Sequence, residues 1–265
     1  QRHDIRDRFK ADRAAFQGRM ESIARIDYAL YAGIFIFIFW AFGLRAAALA
    51  MLVWGSGHPW SYFWTGGAMG RVPWLFMAVA GVCLLKKNRR FLGGFALSWT
   101  MLLRVFTGAL ISGLAMKIGY GLIKTRRISK AHLMLIAGCF AALVVLIPAS
   151  LPTADGFGAY PDFIGNSMKH KQTPLTNHMG LPTLYSYSPA HVARRAKNSA
   201  LADPFKIWKE KRQSNLKSRK IFFGLTVLGL FALVGWAALK TEDWVGTALS
   251  VALILGLFEL TCYYY

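Results

Sequence analysis

Apolar positions in this chain gather into long runs at Ile34–Gly43, Val72–Leu85, Leu133–Leu151, Ile221–Leu239 and Val245–Phe258. Stretches approaching ~20 apolar residues are what a helix needs to cross the hydrocarbon core of a bilayer. The pattern predicts an all-α fold, a polytopic transmembrane helix bundle with a broken helical hairpin and one long extramembrane loop. Before the first run, Phe9, Phe16, Met20 and Ile23 recur at helical spacing among Arg and Asp. Such a pattern predicts an amphipathic surface helix over 1–26, assigned to the cytoplasmic face.

Membrane helices are expected over 27–150. The first span runs from about Tyr28 to Trp54, interrupted by Arg45, and Gly55–Arg71 reads as an interfacial loop rich in aromatics (Trp60, Tyr62, Phe63, Trp64). The stretch Phe91–Ile123 is too long for one crossing, since its 33 residues as a single helix would extend ~50 Å against a ~30 Å core. Arg104 lies inside it and several glycines follow. A turn near Arg104–Gly108 makes 91–123 a hairpin and puts the basic blocks Lys86–Arg90 and Lys124–Lys130 on one side, as the positive-inside tendency requires.

Residues 151–219 form the extramembrane loop. Its first part is rich in Pro, Gly, Asn and Tyr; its second, Ala190–Arg219, reads as a basic interfacial helix region anchored by Phe205, Ile207 and Trp208. Loops longer than about 60 residues escape the charge rule, so its basicity does not force it into the cytoplasm. Two further membrane helices follow over 220–265, joined by the turn Lys240–Asp243. Gln1 is not an initiator and Leu260–Tyr265 stops inside an unfinished hydrophobic segment, so sequence is expected beyond both ends.

Composition agrees with this partition, with 55% hydrophobic and 17% charged residues. The formal charge of +20 raises the question of nucleic acid, but the Lys and Arg residues flank apolar runs, where orientation and anionic headgroups select for them. Nucleic-acid binding is therefore not expected; membrane lipids, including anionic headgroups, are. Cys83, Cys139 and Cys262 all lie in apolar runs with no metal-ligand spacing, so no disulfide framework, metal or cofactor is indicated.

At Val72–Gly108 the order is short apolar helix, basic turn Lys86-Lys87-Asn88-Arg89-Arg90, small-residue helix Phe91–Leu97, then Leu102-Leu103-Arg104-Val105-Phe106. Further on come Asp162-Phe163-Ile164-Gly165-Asn166-Ser167, His170 and Pro174-Leu175-Thr176-Asn177-His178-Met179-Gly180-Leu181, and the chain ends Leu260-Thr261-Cys262-Tyr263-Tyr264-Tyr265. Over about 66–265 this resembles the C-type membrane glycosyltransferases, in particular the bacterial polyprenyl-phosphate-mannose-dependent mannosyltransferase-like group, although Thr107 stands where a Pro is expected. The resemblance implies inverting transfer of a lipid-phosphate-linked sugar outside the cytoplasm of a bacterial cell, with an acidic base in a first external loop upstream of Gln1.

Individual residues carry this chemistry with alternatives beside it. Arg104, a charge inside an apolar stretch, must reach water, a carboxylate or a phosphate; it holds a lipid phosphate or sits at headgroup level as a hairpin-tip residue. Arg45 is read as snorkelling to an interface. Glu259, an acid in the last hydrophobic segment, pairs with an intramembrane Arg or binds a polar ligand. Asp155 and Asp162 are the external-loop acids able to serve as a base, or are simply solvated. His170, Asn177 and His178 offer donors for sugar hydroxyls or a phosphate, or ordinary loop hydrogen bonds. The leading functional expectation is a membrane glycosyltransferase-like protein. Its rival is a non-catalytic structural or accessory subunit joined to other membrane subunits. A transporter would show matched broken helices in inverted repeats, and only one broken segment is visible.

Overall fold

A computed structural model describes residues 25–56, 72–153, 156–172, 178–258 and 260–261. The expected surface helix before Arg25 and most of the Gly55–Arg71 loop lie outside the described residues. The fold is all-α, apart from one short antiparallel pairing of His178–Met179 (β1) with Leu260–Thr261 (β2). Among the described residues, three helices are long and apolar enough to cross a membrane: Val105–Thr125, Lys130–Ser150 and Lys220–Lys240.

The run from Tyr28 to Trp54 is not the single crossing that its hydropathy suggests. It forms α1 (Ile26–Phe42) and α2 (Leu44–Ser56), and the Tyr31 and Trp54 rings lie 5.4 Å apart. One straight helix would separate those residues by ~35 Å. The chain therefore reverses, and it does so at Gly43, whose φ of 87° is open to glycine and strained for other residues. Along the parallel helix α3 (Pro73–Lys86), Phe37 meets Phe76, whereas Trp40 and Phe42 reach Lys87 and Trp244 beyond its far end.

Helix α4 (Arg90–Leu103) returns antiparallel to α3 and stops at Arg104, whose backbone is extended (φ −149°, ψ 114°). A 3-10 turn, Val105–Ile111, and α5 (Ser112–Thr125) then run back. The helix therefore breaks at Arg104, within the segment 91–123. The apex of the break is tied to the start of α3, because the Thr100 hydroxyl donates to the Trp74 carbonyl at 2.7 Å and Trp74 stacks edge-on against Phe106.

Helix α6 (Lys130–Ser150) begins at Ser129, whose hydroxyl accepts the His132 N–H, satisfying one donor of the first turn. It packs along α4 at van der Waals backbone distance: a Cβ on Gly138 would overlap the Phe91 carbonyl, and one on Gly94 the Leu135 carbonyl. Small residues allow such close approach between helices in the absence of a hydrophobic driving force. Helix α11 (Lys220–Lys240) packs on α5 and on α12 (Asp243–Leu249), and α13 (Val251–Leu257) continues that direction. The Gly113 N–H donates to Ser250 Oγ at 2.9 Å, locking α5 to the α12–α13 junction. Leu85, Leu97, Leu110, Leu114 and Leu253 form the centre of the core.

Two ends of the bundle result. One, the basic end, gathers Gly43, the Lys86–Arg90 turn, the α5–α6 turn and the Lys240–Asp243 turn. The other carries Ile26, Val72, the Arg104 apex and the loop. Ile26 and Lys86–Arg90 were both expected on the cytoplasmic side; the Gly43 reversal puts them at opposite ends instead.

The loop is largely helical, with α7 (Ala159–Gln172), α8 (Leu181–Ser186), α9 (Ala193–Ala196) and α10 (Lys206–Ser218). Trp208, expected as a lipid-interface anchor, is buried beneath the Arg212 guanidinium, 5.1 Å from its ring. Arg212 Nε donates to Ser186 Oγ at 2.9 Å and Asn215 to the Ser186 carbonyl at 3.2 Å. The tryptophan closes a small core of the loop's own, between α8 and α10. Ile207 remains exposed.

Candidate functional site

At the loop end, Arg104 is exposed between its two apolar arms, and its carbonyl accepts both the N–H and the hydroxyl of Thr107. Thr107 thereby closes the turn in the place where the resemblance expects proline, and it is fully buried. The following 3-10 turn packs on α13, and α13 also packs on α8 of the loop. His178 is buried on β1, paired with Thr261. Helix α13 therefore connects the hairpin apex to the loop segment that bears His178. Asp162 is exposed in the first turn of α7. Backbone places His170 near the end of that helix, while its side chain, with Asp155, Asn177 and Glu259, lies outside the described residues. Arg45 is exposed next to Gly43, at the turn between α1 and α2.

The most highly organised polar constellation lies at the basic end, in residues that the sequence reading did not single out. Asp243, the first residue of α12, is buried, with side-chain exposure of 7%. Its carboxylate accepts from Arg90 Nη1 at the start of α4, lies 2.8 Å from Lys117 Nζ on α5 and is 3.4 Å from His132 Nε2 on α6. Lys117 Nζ also donates to the Thr241 carbonyl at 2.7 Å. Four helices are thus joined through one anion. A buried carboxylate is tolerable only when paired and hydrogen-bonded in this way, and its position on the first turn of α12 adds the favourable end of the helix dipole.

Next to it Glu242 is exposed. The Trp244 indole N–H donates to its carboxylate at 2.8 Å, and Lys86 lies 3.5 Å away; these hold the Glu242 carboxyl below the usual carboxylate range. Lys86 also lies over the Trp244 ring, 4.7 Å from its centroid. Beside the Asp243 cluster opens a cavity of about 460 Å³ lined by Lys117, Tyr120, His132, Trp236, Leu239 and Lys240. Among the described residues no group of His, Cys, Asp and Glu has the arrangement of a metal site.

Fold and clusters define a helical protein with, among the described residues, three helices long and apolar enough to span a membrane, a helical loop at one end and a cation-rich carboxylate cluster at the other. Compared with known proteins, the chain matches no family model, no curated protein and no solved structure.

Proposed function

We propose that this chain is the membrane-embedded part of a bacterial cytoplasmic-membrane transferase that takes a sugar from a lipid-phosphate carrier at the loop end of the bundle. The observation that carries the reading is the break at Arg104. An apolar hairpin that stops on an exposed arginine presents a guanidinium at its apex, and a phosphate supplies the paired acceptors that such a group requires in a membrane. The packing of α13 against both the apex and the loop adds support, because it brings hydroxyl- and imidazole-bearing segments towards the same end. In this reading the whole array is a polytopic bundle. The basic end, with Lys86, Lys87, Arg89, Arg90, Arg126 and Arg127, faces the cytoplasm, and the loop end faces outward.

Turnover of a labelled polyprenyl-phosphate sugar by the full protein in vesicles tests the proposal. Arg104→Ala is expected to lower it about 100-fold, the effect of losing a charged hydrogen bond worth about 3 kcal/mol, with Arg104→Lys intermediate. Unchanged turnover in a folded Arg104→Ala protein overturns the reading and leaves that of a non-catalytic subunit. The latter draws support from the apolar groove between α1 and α2, lined by Phe35, Phe39, Leu44 and Met51, a surface suited to a neighbouring helix.

A further inference from the structure

The cavity at the basic end has a composition that the transferase reading does not use. Its polar side is Lys117, His132 and Lys240; its apolar side is Tyr120, Trp236 and Leu239. The two sides have different origins in the fold. Lys117 is fixed by Asp243 and the Thr241 carbonyl, and His132 is held in the first turn of α6 facing the same carboxylate. Lys240, in contrast, lies 4.4 Å over the Trp236 ring, an attraction that leaves the ammonium's hydrogens able to reach an incoming acceptor.

Charge around the cavity does not balance. Lys86, Arg90, Lys117 and Lys240 are four permanent cations, against the two carboxylates Asp243 and Glu242. Two positive charges remain in excess, one of them on the exposed Lys240. Height matters as well. Trp236, Leu239 and Lys240 form the last turn of α11, the end of a helix long enough to span the membrane. Trp236 and Leu239 are exposed, and so is Leu133 at the start of α6. The cavity therefore opens at the boundary where aromatic and basic side chains meet lipid headgroups.

We propose that this cavity is a binding site for the headgroup of an anionic phospholipid. The phosphodiester oxygens accept from Lys240, Lys117 and His132, while the glycerol and first acyl carbons lie against Trp236, Leu239 and Tyr120. The site is an open groove of about 460 Å³ whose apolar wall, Tyr120, Trp236 and Leu239, is exposed, a shape that holds a headgroup from one side and leaves its chains in the bilayer. Asp243 acts as the anchor that holds Lys117 and His132 in place and takes no part in contact with the lipid. The site is independent of the sugar-transfer reading and lies at the opposite end of the bundle.

The test uses the full protein in bilayers of phosphatidylcholine to which brominated phosphatidylglycerol or brominated phosphatidylcholine is added. Bromine quenches nearby indoles, and subtracting a Trp236→Phe protein isolates the Trp236 signal. Quenching is expected to half-saturate at about tenfold lower mole fraction for the anionic lipid, as roughly 1 kcal/mol per interfacial cation predicts for two excess charges after discounting for screening. Lys240→Gln is expected to reduce that preference to about twofold without altering thermal unfolding, since the exposed Lys240 lies outside the Asp243 cluster and the loss of one interfacial cation sets the scale; Lys240→Gln with His132→Gln is expected to reduce it at least as far. Equal quenching by both lipids, or full preference in the double variant, overturns the proposal. Displacement of the lipid by inorganic phosphate at millimolar concentration also overturns it, by assigning the site to a free anion.

Discussion

Removing the Asp243 carboxylate tests the central packing argument most directly. In Asp243→Ala, Arg90 at the start of α4 and Lys117 in the middle of α5 keep their positions but lose their shared anion. Breaking one side of a buried ion pair typically costs 3–5 kcal/mol, because the remaining charge is left unpaired. Arg90 and Lys117 retain side-chain exposures of 22% and 23%, so water screens part of the loss and the low end applies, about 3 kcal/mol. Cys83, on α3 within a turn of Lys86 and 1% exposed, reports the opening of this end. In a protein also carrying Cys139→Ser and Cys262→Ser, its maleimide labelling rate under native conditions follows the population of the opened state. Asp243→Ala is expected to raise that rate about 100-fold, since each 1.4 kcal/mol is a factor of ten. Adding Arg90→Met should restore part of the loss by removing one of the orphaned charges. A rate within about threefold of the parent, equivalent to less than 1 kcal/mol, with no effect of Arg90→Met, would refute the anchoring role.

Two further outcomes follow from the packing and the topology. Gly138→Ala, whose added methyl overlaps the Phe91 carbonyl, should destabilise the protein by about 2 kcal/mol in detergent unfolding through overpacking. Gly119→Ala, with open space around it, should be neutral or stabilising by up to ~1 kcal/mol, and equal effects at both positions would refute the close α4–α6 approach. Cysteines placed at Asn88 and Ser129 should label from one side of sealed vesicles and a cysteine at Gly158 from the other; opposite accessibility of the first two would break the hairpin.

The long apolar helices were legible because runs such as Leu133–Leu151 have the length and composition of a membrane-crossing helix, and α6 and α11 fall where hydropathy put them. The Arg104 turn was legible too, since a stretch of excessive length with one internal arginine has few other solutions. The α1–α2 reversal was not. Its only polar interruption is Arg45, and a single glycine with positive φ makes the turn without any hydrophilic segment to announce it. Trp208 was misplaced because an aromatic beside basic residues reads equally as an interfacial anchor or as the lid of a small core; the contact with Arg212 decides between them. The Asp243 cluster was hidden by its dispersion over four helices, each contributing one ordinary group. The available signal was Lys117, a charge inside the apolar stretch 91–123 that needed an acid elsewhere, with Asp243 next to the neighbouring turn as its natural partner.

The Gly43 reversal has a consequence for how the chain is oriented during insertion. A helix pair that comes back to its point of entry contributes an even count to the polarity of everything after it, whatever depth its two short arms reach. Ser56 and Val72 then stand at the same end of the bundle as Ile26, so the pair itself leaves the direction of α3 onward unchanged. Removal of the α1–α2 pair as a unit would leave the handed order of all later helices unchanged, whereas loss of either helix by itself would invert it.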